Sequence, residues 1–118
     1  MFLFEKLDVY QKSLVFAKEV IRSSNRFSRG NYTIADQLRR AALSIPLNIA
    51  EGNGRWHTKD RKSFFLIARG SAFECVPLIE ICRDLGIIDE PTHGAWRSEV
   101  EEISRMLNGL ISTAELRK

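Results

Sequence analysis

The sequence predicts an all-α protein, an up-down-up-down antiparallel four-helix bundle. Three observations carry that prediction. Apolar residues recur at three- and four-residue steps almost throughout, the spacing of one helix face. No stretch alternates apolar and polar residues as a half-buried strand would. Seven glycines and three prolines in 118 residues are too few for a many-turned β protein. The length sits at the mode for one domain, so residues 1–118 are read as a single bundle able to bury a core without staples.

The first helix is expected from about Asp8 to Ser24. Leu7, Tyr10, Leu14, Ala17, Val20 and Ile21 form its stripe, and Asp8 is its expected N-cap. Ser23-Ser24-Asn25 and Ser28-Arg29-Gly30-Asn31 read as a loop. The second helix runs from near Thr33 to Gly52 or Gly54, with Ile34, Leu38, Ala41, Ala42, Ile45 and Ile49 in phase. Pro46 lies inside it. An interior proline removes one backbone hydrogen bond, so a kink is expected near Ala42 to Pro46, but not a break. Gly52-Asn53-Gly54 is expected to stop this helix, since glycine tolerates the left-handed conformation.

The third helix is expected after Thr58 as N-cap, ending at Leu85 with Gly86 as its stop. Phe64, Ile67, Ser71, Cys75, Leu78 and Ile81 make its stripe, and Pro77 predicts a second kink. Gly70-Ser71-Ala72 would let another helix approach closely. The fourth helix runs from Pro91 or Thr92 to Leu116, with Trp96, Val100, Ile103, Leu107 and Ile111 inward. Short connections between four long helices give the antiparallel bundle.

Two cysteines, Cys75 and Cys82, stand seven residues apart. At ~1.5 Å rise per residue that separation is about 10 Å, too far for a disulfide within one helix. They read as reduced, buried thiols. The apolar opening Met1 to Phe4 is too short for a signal-peptide core, and no window approaches a spanning helix. A soluble, cytoplasmic protein without membrane association is expected.

Catalytic and metal signatures are sparse. His57 and His93 are the only histidines, and both fall in expected loops. The chain has no Glu-x-x-His, Cys-x-x-Cys, His-Glu-x-x-His, P-loop or Gly-x-Gly-x-x-Gly. The reading is therefore of a protein that is not an enzyme and carries no cofactor or metal. Polar residues nonetheless appear where helices should pack. Arg40, Ser44, Asn48, Glu51 and Arg55 follow helical steps, as do Ser71 and Glu74. Burying Glu74 would be costly unless it is paired, so it is expected to meet Arg39 or Arg40, with Asn48 and Ser71 completing the hydrogen bonds. That is a polar clamp fixing helix or subunit register. The alternative is a Glu51/Glu74 carboxylate pair that binds a metal or acts as acid and base.

Eighteen basic residues against fifteen acidic give a net charge of +3. The charge is unevenly placed. Between Asp36 and Arg69, seven basic residues face three acidic ones; between Asp89 and Glu102, five acidic residues face only Arg97. The acidic run suits a helix start. Lys59, Arg61 and Lys62 do not suit the start of the third helix, where the dipole disfavours cations and free N–H groups attract anions. With Arg55, and with Trp56 and His57 for stacking, the turn from Gly54 to Lys62 reads either as a phosphate- or RNA-facing patch or as a solvated loop whose charges give solubility.

The string Gln37-Leu38-Arg39-Arg40-Ala41-Ala42-Leu43-Ser44-Ile45-Pro46-Leu47-Asn48-Ile49-Ala50-Glu51-Gly52 closely resembles the signature of the bacterial four-helix-bundle family named for the 23S rRNA intervening-sequence protein. Ala68-Arg69-Gly70-Ser71-Ala72-Phe73-Glu74 resembles its second signature, and Phe4 to Tyr10 its usual start. The resemblance covers essentially the whole chain. It implies a fold similar to the accessory variability determinants of diversity-generating retroelements, which work with a reverse transcriptase and nucleic acid. It also implies a ring-shaped homo-oligomer, with a pentamer the first expectation, and a role largely unknown. It carries no catalytic residues. Arg39, Arg40, Asn48, Glu51, Ser71 and Glu74 match the signatures and are read as structural or interfacial. The combined expectation is a non-enzymatic homo-oligomer binding RNA or a nucleoprotein through Arg55, Trp56, Lys59, Arg61 and Lys62. The alternative is a protein-interaction scaffold or a reverse-transcriptase accessory subunit.

Overall fold

Each expected apolar stripe falls within one helix in the computed structural model, which describes residues 2–116, although Ile67 and Ile81 of the third stripe are about half exposed instead of buried. The helices are α1 (Asp8–Ser24), α2 (Tyr32–Asn53), α3 (Thr58–Asp84) and α4 (Glu90–Leu116), with short 3-10 turns at Leu3–Lys6 and Arg29–Asn31. There is no strand among the described residues. Side-chain contacts fix the directions. Ser71 meets Ser44 while Gly52 meets Phe64 and Phe65, so α2 and α3 run antiparallel. Phe16 meets Trp96 while Lys12 reaches Glu99 and Glu102, so α1 and α4 do too. The result is the expected up-down-up-down bundle, 48 × 22 × 21 Å. That length suits helices of 27 residues at ~1.5 Å per residue.

The core runs along the axis through Phe16, Val20, Leu38, Ile45, Ile79 and Trp96, with a smaller cluster of Phe65, Ile111 and Ala114 at one end. Trp96 is fully buried and meets Phe16 edge-on, ring centroids 6.4 Å apart. Its indole N–H has no acceptor there. Cys75 and Cys82 are buried free thiols. Both interior prolines sit in helices that continue unbroken past them, Pro46 buried and Pro77 exposed.

The helix ends correct the sequence reading in several places. Leu7, not Asp8, occupies the α1 cap and makes no side-chain cap bond. His57, not Thr58, occupies the α3 cap, also without one. The fourth helix starts at Glu90 because Asp89 Oδ1 accepts the Thr92 N–H at 2.9 Å. Hydrogen bonding from the Thr92 side chain, and then that backbone bond, holds the Asp89 carboxyl below its ordinary range. At the end of α3 the expectation holds. Gly86 adopts φ +73°, Ile87 N–H donates to Cys82 O at 2.8 Å and Gly86 N–H to Arg83 O at 3.0 Å, a Schellman closure.

The end of α2 works differently from the glycine stop expected. Gly54 has φ −80°, not a left-handed value. Gly52 serves the packing instead. A Cβ there would lie 2.7 Å from Phe65 Cε1 and 3.0 Å from Phe64 Cβ. Only a residue without a side chain lets α2 meet α3 that closely.

Candidate nucleic-acid interface

The basic turn is built by the α2–α3 hairpin. Arg61, in the first turn of α3, reaches back across it. Its Nη1 donates to Asn53 O at 3.0 Å and to Arg55 O at 3.4 Å. It therefore caps the open carbonyls of α2, and its guanidinium lies 5.9 Å from the Phe65 ring centre. Arg55 lies over Phe64 at 4.7 Å and pairs with Glu51 at 3.1 Å, both partly exposed. Trp56, between these two arginines in sequence, is 93% exposed. His57, Lys59 and Asp60 are exposed and Lys62 is half-buried. Asp60 offsets part of the cationic charge at the start of α3.

The turn has a neighbour that sequence reading missed. Phe2 and Phe4 stack at 5.7 Å. With Leu3 they line a shallow cleft against Ala50, Asn53, Gly54 and Arg55. Phe2 is 71% and Leu3 75% exposed. Nothing in the local spacing of the first four residues signals this, because the contact is made across the chain.

The clamp forms only in part. Ser71 Oγ bonds Ser44 Oγ at 2.8 Å, and Asn48 Nδ2 donates to Ser44 O at 2.8 Å and to Ser44 Oγ at 2.9 Å. Glu74, however, is exposed and meets neither arginine. Arg39 turns to Ser24 Oγ at 3.1 Å, and Arg40 pairs with Asp36 at 3.0 Å. The cause is helical phase. Glu74 stands about 200° around α3 from buried Ala72 at ~100° per residue, so it points outward and needs no buried partner.

The carboxylate-pair alternative also fails on geometry. Gly52 contacts Phe64 and Phe65, which sets Glu51 level with that turn. Glu74 lies nine residues further along α3, about 14 Å at ~1.5 Å per residue. Among the described residues no cluster of three or more His, Cys, Asp or Glu side chains could hold a metal ion.

A second polar cluster was not foreseen. Glu80 of α3 accepts from His93 at 2.9 Å, from Arg97 and from Arg83 at 2.9 Å. His93 first, then Arg97 and Arg83, hold the Glu80 carboxyl below its ordinary range. The same contact, led by the Glu80 bond, raises Arg97. The spacings were visible as an i,i+3 pair and an i,i+4 pair, but only the antiparallel register joins them.

The model of the 23S rRNA-intervening sequence protein family matches residues 5–109, nearly the whole chain. The chain belongs to that family. The intervening-sequence fold is also seen in a crystal structure of a protein of unknown function from the S23 ribosomal protein family of Bacteroides thetaiotaomicron. The two share 23% identity with a TM-score of 0.81, over 87% of this chain and 97% of the other. At that identity the likeness shows the fold. Comparison with curated proteins gives no match. No helix among the described residues is long and apolar enough to cross a membrane.

Proposed function

We propose that this intervening-sequence family member is a non-enzymatic, homo-oligomeric protein that binds structured RNA through the turn between α2 and α3. The observation that carries this is Trp56. A tryptophan 93% exposed contributes almost nothing to the fold, yet it sits among Arg55, His57 and Lys59. An unpaired base can stack on such a ring while the cations meet phosphates, the combination used for single-stranded and looped RNA. Arg61 serves differently from the sequence expectation. Its bonds to two backbone carbonyls make it a strap that sets the turn, and Arg55, Trp56, His57, Lys59 and Lys62 form the contact surface. Several copies in one assembly would multiply a weak patch by avidity.

The test is fluorescence anisotropy with ribosomal RNA fragments carrying loops, at two salt concentrations. Wild type is expected to bind and to weaken steeply with salt. Trp56→Ala is expected to lose roughly 5- to 100-fold in affinity, the cost of about one stacked base, with its helical content unchanged. Arg55→Glu with Lys59→Glu should flatten the salt dependence. Salt-insensitive binding, or Trp56→Ala binding as wild type does, refutes the assignment.

A further inference from the structure

We propose that the outer faces of α2 and α3 are a contact between copies of this chain, α2 of one copy packing on α3 of the next, with Arg40 reaching Glu74 of the partner subunit. This rests on the homo-oligomeric reading above and names its surface.

The first observation is the outer side of α3. Between Leu66 and Ile81 its exposed residues are Leu66, Ile67, Gly70, Phe73, Pro77 and Ile81, with Glu74 the only charge. Ile67, Phe73 and Ile81 are each about half exposed. A surface helix ordinarily shows a polar outer face; one that is apolar all round belongs inside something. Leu43 and Leu47 of α2, 43% and 56% exposed, extend the same face across the seam. Contiguous apolar surface of this kind marks an interaction site.

The second observation identifies the occupant. Glu74 makes no hydrogen bond or ion pair among the described residues. Arg40 is 76% exposed and held only by Asp36 one turn earlier on its own helix. The face thus carries one uncommitted carboxylate and one weakly committed guanidinium, and a copy of itself complements both. RNA does not, because Glu74 would meet phosphates within an apolar field. The antiparallel register supports the pairing. Since Ser44 is level with Ser71, Arg40 is level with Glu74 and Cys75, and Leu47 with Ala68 and Ile67. A partner whose α3 lies along this α2 at the same height sets Leu47 against Ile67 and Arg40 against Glu74 together. Gly70 has open space around its missing Cβ, so a partner helix can come close. Copies arranged with α2 helices parallel would also gather their Trp56 turns at one end of the assembly.

The experiment is light scattering on size-fractionated wild type and on Leu47→Arg, Ile67→Arg, Arg40→Glu, Glu74→Arg and the Arg40→Glu/Glu74→Arg double variant, with circular dichroism confirming the helices. Wild type is expected at a mass several times that of one chain. Leu47→Arg and Ile67→Arg should shift it to the single-chain mass. Each charge reversal should weaken association about tenfold, and the double variant should recover it. A wild type that stays single overturns both this contact and the homo-oligomeric reading. An assembly that survives both arginine insertions overturns this surface alone. Charge reversals without recovery in the double variant overturn the Arg40–Glu74 pairing.

Discussion

At the scale of single residues, two positions do work that their chemistry alone does not announce. Gly52 sits in the last turn of α2, where alanine would ordinarily gain up to about 1 kcal/mol in helix propensity. Here a Cβ would press within 3 Å of the Phe65 ring, which is itself 1% exposed and unable to move aside. Overpacking of that kind costs about 1–3 kcal/mol and outweighs the gain. Gly52→Ala should therefore lower the urea midpoint of unfolding, and an unchanged or raised midpoint would refute the close-approach account. Cys75 is fully buried, and burial pushes its thiol up to about 12, with the nearby Glu74 charge adding to the effect. The thiolate is the reactive form, so Cys75 should resist an aromatic disulfide reagent at pH 8 in the native protein. In urea both Cys75 and Cys82 should titrate. Rapid native labelling of Cys75 would contradict its placement. The candidate site was legible at this scale wherever residue type sufficed, as for Trp56, Arg55 and Lys59. It was not legible for Arg61, whose strap depends on where the α2 carbonyls end, or for Glu74, whose exposure depends on phase.

At the scale of elements, the apolar periodicity marks all four helices, and the Gly86 stop is readable because a left-handed closure requires that residue. What periodicity cannot supply is which helix end takes which cap, since Asp8, Thr58 and Asp89 all belong to residue types that cap well and only Asp89 makes the bond at its helix end. Nor can it supply contacts set by the pairing of helices. The Glu80 cluster is the plainest case. It ties α3 to α4 through His93 and Arg97, with Arg83 on the same helix. Because Glu80 is held below its usual value of 4.5 in the folded chain, its contribution is fully present above that value and is lost as pH falls through the lowered one. Glu80→Gln should lower the thermal midpoint at pH 7. The gap between variant and wild type should narrow steadily as the pH drops below about 4.5. A gap that stays constant from pH 7 to pH 3 would show that the carboxylate charge is not what matters there. Being partly exposed, the cluster should also weaken with added salt.

At the scale of the whole molecule, the bundle is not evenly held. The α2–α3 hairpin is closed by Gly52 against two phenylalanines, by the Ser44–Ser71 bond and by the Arg61 strap. The α3–α4 pair adds the Glu80 cluster and the Arg69–Asn108 bond at 2.9 Å. α1 is joined more loosely. Two of its six buried residues are serines, Ser13 and Ser24, and both donate their hydroxyls to their own helix, at Tyr10 O and Ile21 O, with Ser24 also accepting from Arg39 of α2. A cleft lined by Val15, Glu19, Ala95 and Met106 opens between α1 and α4, bridged mainly by Lys12 to Glu99 and Glu102 at 3.6 and 3.3 Å. Opening free energies follow buried apolar packing and protected backbone, so α1 should open before the rest of the bundle. In native-state hydrogen exchange the amides of α1 are expected to exchange through a lower-energy opening than the central amides of α3 between Ala68 and Ile79. Lys12→Met should widen that difference by removing the cation that pairs with Glu99 and Glu102 across the cleft, without altering exchange in α3. Equal protection across α1 and α3, rising and falling together with denaturant, would instead mean that the four helices open as one unit and that the cleft weakens nothing.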